Sequence, residues 1–122
     1  MKNILLPFLL ISSINTFSQT VAFKADSIII DSKLCLHFNK INDTFYVRTL
    51  DDKNIIEWQV VNISPGKFST TYFFPTINEQ LHIDDINGRN AIIFLLIKND
   101  ILINCELNES RLVKFIDKYR HQ

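Results

Sequence analysis

The stretch Leu81–Leu107 constrains this chain more than any other. It reads LHIDDINGRNAIIFLLIKNDILINCEL and holds seven consecutive apolar residues, Ala91–Ile97. A run of this kind must be covered on every side. It is a strand buried on both faces or a segment of buried helix, and periodicity alone does not separate the two. The β-branched residues Ile92, Ile93 and Ile97 restrict χ1 and favour the strand. Lys98-Asn99-Asp100 interrupts the run, after which Ile101, Ile103, Cys105 and Leu107 alternate with Leu102, Asn104 and Glu106. Asn and Asp tolerate positive φ, so Asn99-Asp100 reads as a two-residue hairpin turn. That register sets Leu96 against Ile103, Phe94 against Cys105 and Ile92 against Leu107 on an apolar core side. The opposite side is mixed and needs another element to cover it.

Upstream, short alternating runs are separated by turn residues. Gln19–Ala25 reads as a tether or short edge strand, and Ser27–Ile30 as a strand closed by Asp31-Ser32. Leu34–Phe38 alternates, and Asn39–Asp43 is a polar turn. Thr44–Val61 reads as a hairpin around Asp51–Asn54. Pairing Leu50 with Ile55 places Phe45 against Val60, Val47 against Trp58 and Arg48 against Glu57. Asn62–Gly66 contains a Ser-Pro-Gly turn, and Phe68–Phe74 is a strand ended by Pro75. The chain closes with a helix over about residues 109–120. Asn108 is its N-cap, Glu109 suits the positive end of the helix dipole, and Leu112, Phe115, Ile116 and Tyr119 form one apolar stripe. The expected fold is therefore mainly β: an antiparallel meander curled as a sandwich or open barrel, with one C-terminal amphipathic helix.

The N-terminus has the organisation of a targeting segment. Lys2 supplies a positive region, Ile4–Ile11 an apolar core, and Ser12–Ser18 a polar end with a small-x-small pattern at Thr16-Phe17-Ser18. It resembles a bacterial Sec signal peptide, with Ala22 as the alternative cleavage point. Its apolar core is far shorter than the ~20 residues of a spanning helix. Residues 1–18 are thus expected to be removed, leaving 19–122 as a single β-rich domain in the periplasm or outside the cell, with no transmembrane segment. In such an oxidising compartment the only two cysteines, Cys35 and Cys105, are candidates for a disulfide.

Charge and composition narrow the function classes. Thirteen basic and thirteen acidic residues give a net charge of zero, which carries no signature of nucleic-acid binding. Gly66 and Gly88 are the only glycines, so a glycine-rich phosphate loop is excluded. No cofactor motif is present. His82, Asp84, Asp85 and Asn87 form the densest polar cluster. Within it, Asp85-Ile86-Asn87-Gly88 resembles the D-x-[DN]-G start of calcium loops in FG-GAP and VCBS-type repeats of secreted bacterial proteins. The resemblance implies an all-β secreted fold, with Asp85 and Asn87 at the first two ligand positions. Arg89 stands where the next acidic ligand belongs, so a plain turn is the expectation there.

Other groupings are ordinary by the same standard. Cys35 with His37, and His82 with Asp84, lie two apart on strands and could pair as nucleophile or base. Neither has a matched partner or an oxyanion-forming glycine loop. Tyr46, Tyr72, Phe73 and Trp58 could form an aromatic platform for glycan or peptide; the register turns Trp58 inward and leaves Tyr46 as the better surface candidate. Arg111, Lys114, Lys118 and His121 line the polar side of the helix. Together these features point to a non-enzymatic exported β-domain that binds a protein or cell-envelope component. Two alternatives stand beside it: a small secreted hydrolase using His82 and the nearby carboxylates, and an inhibitor or assembly protein acting through an edge strand.

Overall fold

The computed structural model describes residues 20–84 and 88–121. The signal-like residues 1–18 and the turn residues Asp85 and Asn87 lie outside the described residues. Seven strands follow one another: β1 (Val21–Lys24), β2 (Ser27–Ile30), β3 (Lys33–Ile41), β4 (Thr44–Arg48), β5 (Asn54–Ser64), β6 (Lys67–Phe74) and β7 (Glu79–Asp84). They form one antiparallel sheet in chain order, the expected meander, and the sheet is not closed into a barrel. Helix α1 (Asn90–Lys98), the two-residue strands β8 (Leu102–Ile103) and β9 (Glu106–Leu107), and helix α2 (Glu109–Arg120) complete the chain.

The bends are made by residues that accept positive φ. Asp31 and Ser32, at 52° and 66°, join β2 to β3 as a two-residue turn between Ile30 and Lys33. Positive φ at both positions gives a turn whose twist matches that of the strands it connects. Pro65-Gly66 joins β5 to β6, with Gly66 at 80°; proline presets the first position and glycine supplies the second. Alternation then turns Ile28, Phe38, Val47, Ile56, Trp58, Tyr72, Leu81 and Ile83 into the core. Aromatic rings run across this inner face, with centroid separations of 4.9 Å for Phe23–Phe38, 5.3 Å for Phe45–Trp58 and 5.4 Å for Trp58–Tyr72.

The hairpin of β4 and β5 keeps its expected faces but not its expected register. Phe45 pairs with Trp58, Tyr46 with Glu57 and Val47 with Ile56, two residues from the alignment set by Leu50 and Ile55. The connecting loop is wider than a tight turn, because Thr49 N–H donates to the Lys53 carbonyl at 2.9 Å. A two-residue shift leaves every side chain on its own face, so Trp58 still points inward. It does separate Arg48 from Glu57. Arg48 donates to Asn39 Oδ1 at 2.7 Å, and the Glu57 carboxylate accepts from the Asn54 amide.

The expected strand at Ala91–Ile97 is the helix α1. The sheet presents one long apolar face, and a nine-residue helix covers it while satisfying its own backbone; Ile92, Ile93 and Leu96 are fully buried there. Ala91, Leu95 and Leu96 are strong helix formers, and burial overrides the β preference of the isoleucines. Asn99-Asp100 is correspondingly a helix end. Asp100 sits at φ 57°, its N–H reaches the Ile97 carbonyl at 3.1 Å, and Ile101 N–H reaches the Leu96 carbonyl at 2.9 Å. This is the Schellman pattern, and its two flanking apolar positions, Leu96 and Ile101, are both buried. The true two-residue turn follows at Asn104-Cys105, φ 51° and 65°, between β8 and β9.

Helix α2 matches its expected span. The Asn108 side chain accepts from Arg111 N–H at 3.0 Å, Leu112 and Ile116 are buried, and Phe115 and Tyr119 flank them. Burying Leu112 and Ile116 stabilises by roughly 1.5–3 kcal/mol each. Cys35 of β3 is bonded to Cys105 of the β8–β9 turn, with Cα atoms 5.2 Å apart, and so ties this cap to the sheet.

Candidate functional site

The sheet has a second face, directed away from the cap. Strands β4 to β7 supply it with alternate residues, which line up in rows across the strands. Tyr46, Glu57, Phe73 and Gln80 make one row. Gln59, Thr71 and His82 make the next, extended to Thr44 by a 2.8 Å bond from the Gln59 amide to the threonine hydroxyl. Val61, Ser69 and Asp84 make the third. Successive rows lie about 7 Å apart along the strands. Between them is a broad, shallow depression of ≈ 590 Å³ that also takes in Ile63.

Phe73 and Tyr46 are the half-buried aromatic residues of this face, while Trp58 and Tyr72 belong to the core. The four aromatics considered as one platform are therefore divided between the two sides of the sheet. Burial pushes the Tyr72 hydroxyl well above the ordinary tyrosine range, against a smaller opposing effect of its hydrogen bond with Thr70.

His82 is the centre of the polar part. Its Nδ1 lies 2.9 Å from Thr71 Oγ1, and its Nε2 lies 3.0 Å from Ser69 Oγ and 3.0 Å from Asp84 Oδ1. Ser69 and Asp84 thus compete for one ring nitrogen. Thr71 and Asp84 occupy opposite nitrogens, the connectivity of a hydroxyl–imidazole–carboxylate relay. The His82 and Asp84 side chains are 56 % and 64 % exposed, so water competes for each of these bonds. The sequence singled out His82 and Asp84; it offered no sign of Ser69 or Thr71, because cross-strand neighbours are known only once register is known.

The remaining candidates are dispersed. Cys35 is bonded to Cys105, which removes the thiol needed for a Cys35–His37 nucleophile pair. A bonded cysteine pair fits an oxidising, exported environment. Arg89 lies over Phe23 and Phe38, 4.9 and 5.5 Å from the ring centroids, as a cation on the aromatic edge of the core. Asp85 and Asn87 lie outside the described residues, and among the described residues no three His, Cys, Asp or Glu side chains gather in one place. Arg111, Lys114, Lys118 and His121 are exposed along α2. Arg111 donates to the Asp100 carbonyl at 3.2 Å within the cap, and Arg120 donates to Glu79 Oε2 at 2.9 Å and to the Gln80 carbonyl at 2.6 Å on the outer margin of β7. No described helix is long and apolar enough to cross a membrane.

These features define an antiparallel meander with a disulfide-tied helical cap and one open sheet face. Comparison with protein-family models, with curated proteins and with solved structures finds no match.

Proposed function

We propose that this chain is a non-enzymatic exported domain that binds a protein or cell-envelope component through the open face of its sheet. The observation that carries the reading is the combination of Tyr46, Phe73, Val61 and Ile63 with hydrogen-bonding side chains on a face that no other described element covers. A broad face of this kind offers area and alternating apolar and polar contacts, as protein interfaces do. Export by the Sec route, with cleavage after Ser18, is part of the same proposal. It is supported by the tripartite N-terminus and the bonded cysteines, and it places the domain in the periplasm or the medium.

The test is chemical cross-linking of the oxidised mature chain to native envelope fractions, beside a Tyr46→Ala/Phe73→Ala variant. A partner captured by the wild-type chain and lost by the variant supports the reading; equal capture by both removes the sheet face as the site. Intact mass of the exported chain checks the cleavage point. Hydrolysis is the competing reading, favoured by the Thr71–His82–Asp84 connectivity. It requires a measured turnover that His82→Ala abolishes.

A further inference from the structure

Strand β5 outruns its neighbour β4. The β4–β5 ladder ends at Phe45 and Trp58, whereas the β5–β6 ladder continues to Ser64 and Lys67. On the far side β7 leaves β6 at Ser69 and Asp84. Val60–Phe68 is therefore a two-stranded ribbon that projects past the sheet. Val60, Val61 and Ile63 are 47 %, 57 % and 60 % exposed in it. No residue from Gln59 to Gly66 is charged. Between Val60 and Ser64 the alternate N–H and C=O groups that point away from β6 meet no strand and no other hydrogen-bond partner among the described residues.

The other margins of the sheet are blunted. At β7 the Gln80 carbonyl is already taken by Arg120. At β1 the strand is only four residues long, ends in Lys24 and is flanked by α1. Short edges, lysines and covering helices are the usual means of preventing strand addition. The β5 overhang carries no lysine and no covering helix on its open side; its protection is limited to the irregularity between Asn62 and Ser64 and to Pro65 at its end. Beside it, on the inner face, lies a notch of ≈ 230 Å³ walled by Phe45, Trp58, Val60, Phe68, Tyr72 and Arg89.

We propose that the overhang receives an extended, uncharged peptide strand of a partner protein, added to β5 in line with β4. The proposal rests on the reading of the chain as a binding module and names the chemistry of the partner segment. Main-chain hydrogen bonds to β5 supply affinity, and alternate side chains supply specificity. One large apolar side chain enters the notch, and its neighbours in the strand lie against Val61 and Ile63 on the other face. A cationic side chain entering the notch would lose its hydration among aromatic rings and meet the Arg89 guanidinium. A second copy of this chain is a poorer occupant. In a two-fold pairing of Val60–Ser64 with itself both strands carry the irregularity between Asn62 and Ser64, whereas a partner peptide brings a regular strand to it.

The experiment is selection of a displayed library of random heptapeptides on the full oxidised chain, followed by affinity measurement with a synthetic copy of the enriched peptide. The expected peptides are uncharged, with β-branched or aromatic residues at alternate positions. Binding should weaken about tenfold or more in Val61→Lys/Ile63→Lys, and to a similar extent when alternate peptide nitrogens are methylated; because Val61 and Ile63 also belong to the sheet face, it is the loss on methylation that assigns binding to the β5 main chain. Both substituted positions are exposed, and an unchanged thermal midpoint confirms that the variant folds. Failure to enrich any peptide overturns the proposal. So does a peptide that ignores the double lysine variant but is lost with Tyr46→Ala/Phe73→Ala, an outcome that leaves binding by the sheet face standing. A concentration-dependent dimer abolished by Val61→Lys/Ile63→Lys also overturns it, because the overhang is then filled by the chain itself.

Discussion

In the meander β1–β7 every strand pairs with its neighbour in sequence, whereas the cap of α1, β8, β9 and α2 meets the sheet through contacts distant in the chain. The meander is made of short closures whose turn residues already favour the bend, so each hairpin adds to the last at a small loop cost. The cap has no such ladder to the sheet. It is held by the burial of Ile92, Ile93, Leu96, Leu112 and Ile116, by Arg120 on β7, and by a bond that spans 70 residues. Local pairing gives the first region its order, and long-range burial with one covalent tie gives it to the second.

The largest expected effect comes from cutting that tie. Cys35→Ala/Cys105→Ala should lower stability by about 4 kcal/mol on the loop-entropy account of a disulfide. The loss should be uneven. Under native-state hydrogen exchange, amides of α1 and α2 should lose protection at lower denaturant than those of β4, β5 and β6. Simultaneous loss in both regions would mean that sheet and cap form one cooperative unit and that the contrast between them is only architectural.

The next effect separates helix from strand within the apolar run. In α1 Ile93 is fully buried and Phe94 is 41 % exposed. Ile93→Ala should therefore cost about 2–5 kcal/mol, by lost transfer energy and a residual cavity. Phe94→Ala should cost far less. In a hairpin with Asn99-Asp100 as its turn, Phe94 faces the core opposite Cys105, and the order of the two effects reverses. Urea denaturation of both variants decides it.

Tyr72 probes the sheet side of the same interface. Burial raises its hydroxyl above the ordinary value of 10.0, so the unfolded chain releases this proton first as the solution becomes alkaline. Its contribution is complete below pH 10 and falls as pH rises beyond it, by up to ~1.4 kcal/mol per pH unit. Tyr72→Phe should flatten that part of the stability profile. An unchanged slope would assign the alkaline loss to groups outside the sheet core.

The two regions also differ in how much of them is legible in the sequence. Alternation in Phe68–Phe74, the Asp31-Ser32 and Pro65-Gly66 turns, and the Asn108 cap with its apolar stripe are all local signals, and the structure contains each of them; in Leu34–Phe38 the alternation holds only for Leu36 and Phe38, because an irregularity at Cys35 buries that residue and leaves Leu34 45 % exposed. Ala91–Ile97 has no local signal that decides its form. An uninterrupted apolar run states that it is buried, and only the completed sheet dictates that its cover is a helix. The open sheet face shows the same division. Tyr46 is outward by parity alone, but the gathering of Ser69 and Thr71 around His82 depends on the β6–β7 register. The projection of β5 depends on the difference in length between β4 and β5, which appears only after pairing.

Asn99 and Asp100 offer the smallest and most specific test of that lesson. Read as a hairpin, both residues take positive φ, and glycine should help at each. In the structure only Asp100 does, at φ 57°, while Asn99 caps α1 at φ −98° and its amide donates to the Leu95 carbonyl at 2.8 Å. Asp100→Gly removes the Cβ penalty of the left-handed conformation and a negative charge at the negative end of the helix dipole. A gain of up to about 1 kcal/mol is expected. Asn99→Gly loses the side-chain bond to Leu95 and gains no conformational relief, so it should destabilise by some tenths of a kcal/mol. Thermal midpoints of the two variants should therefore move in opposite directions. A rise in both would restore the hairpin turn and remove the helix end, and with it the distinction between a locally paired sheet and a cap defined by burial.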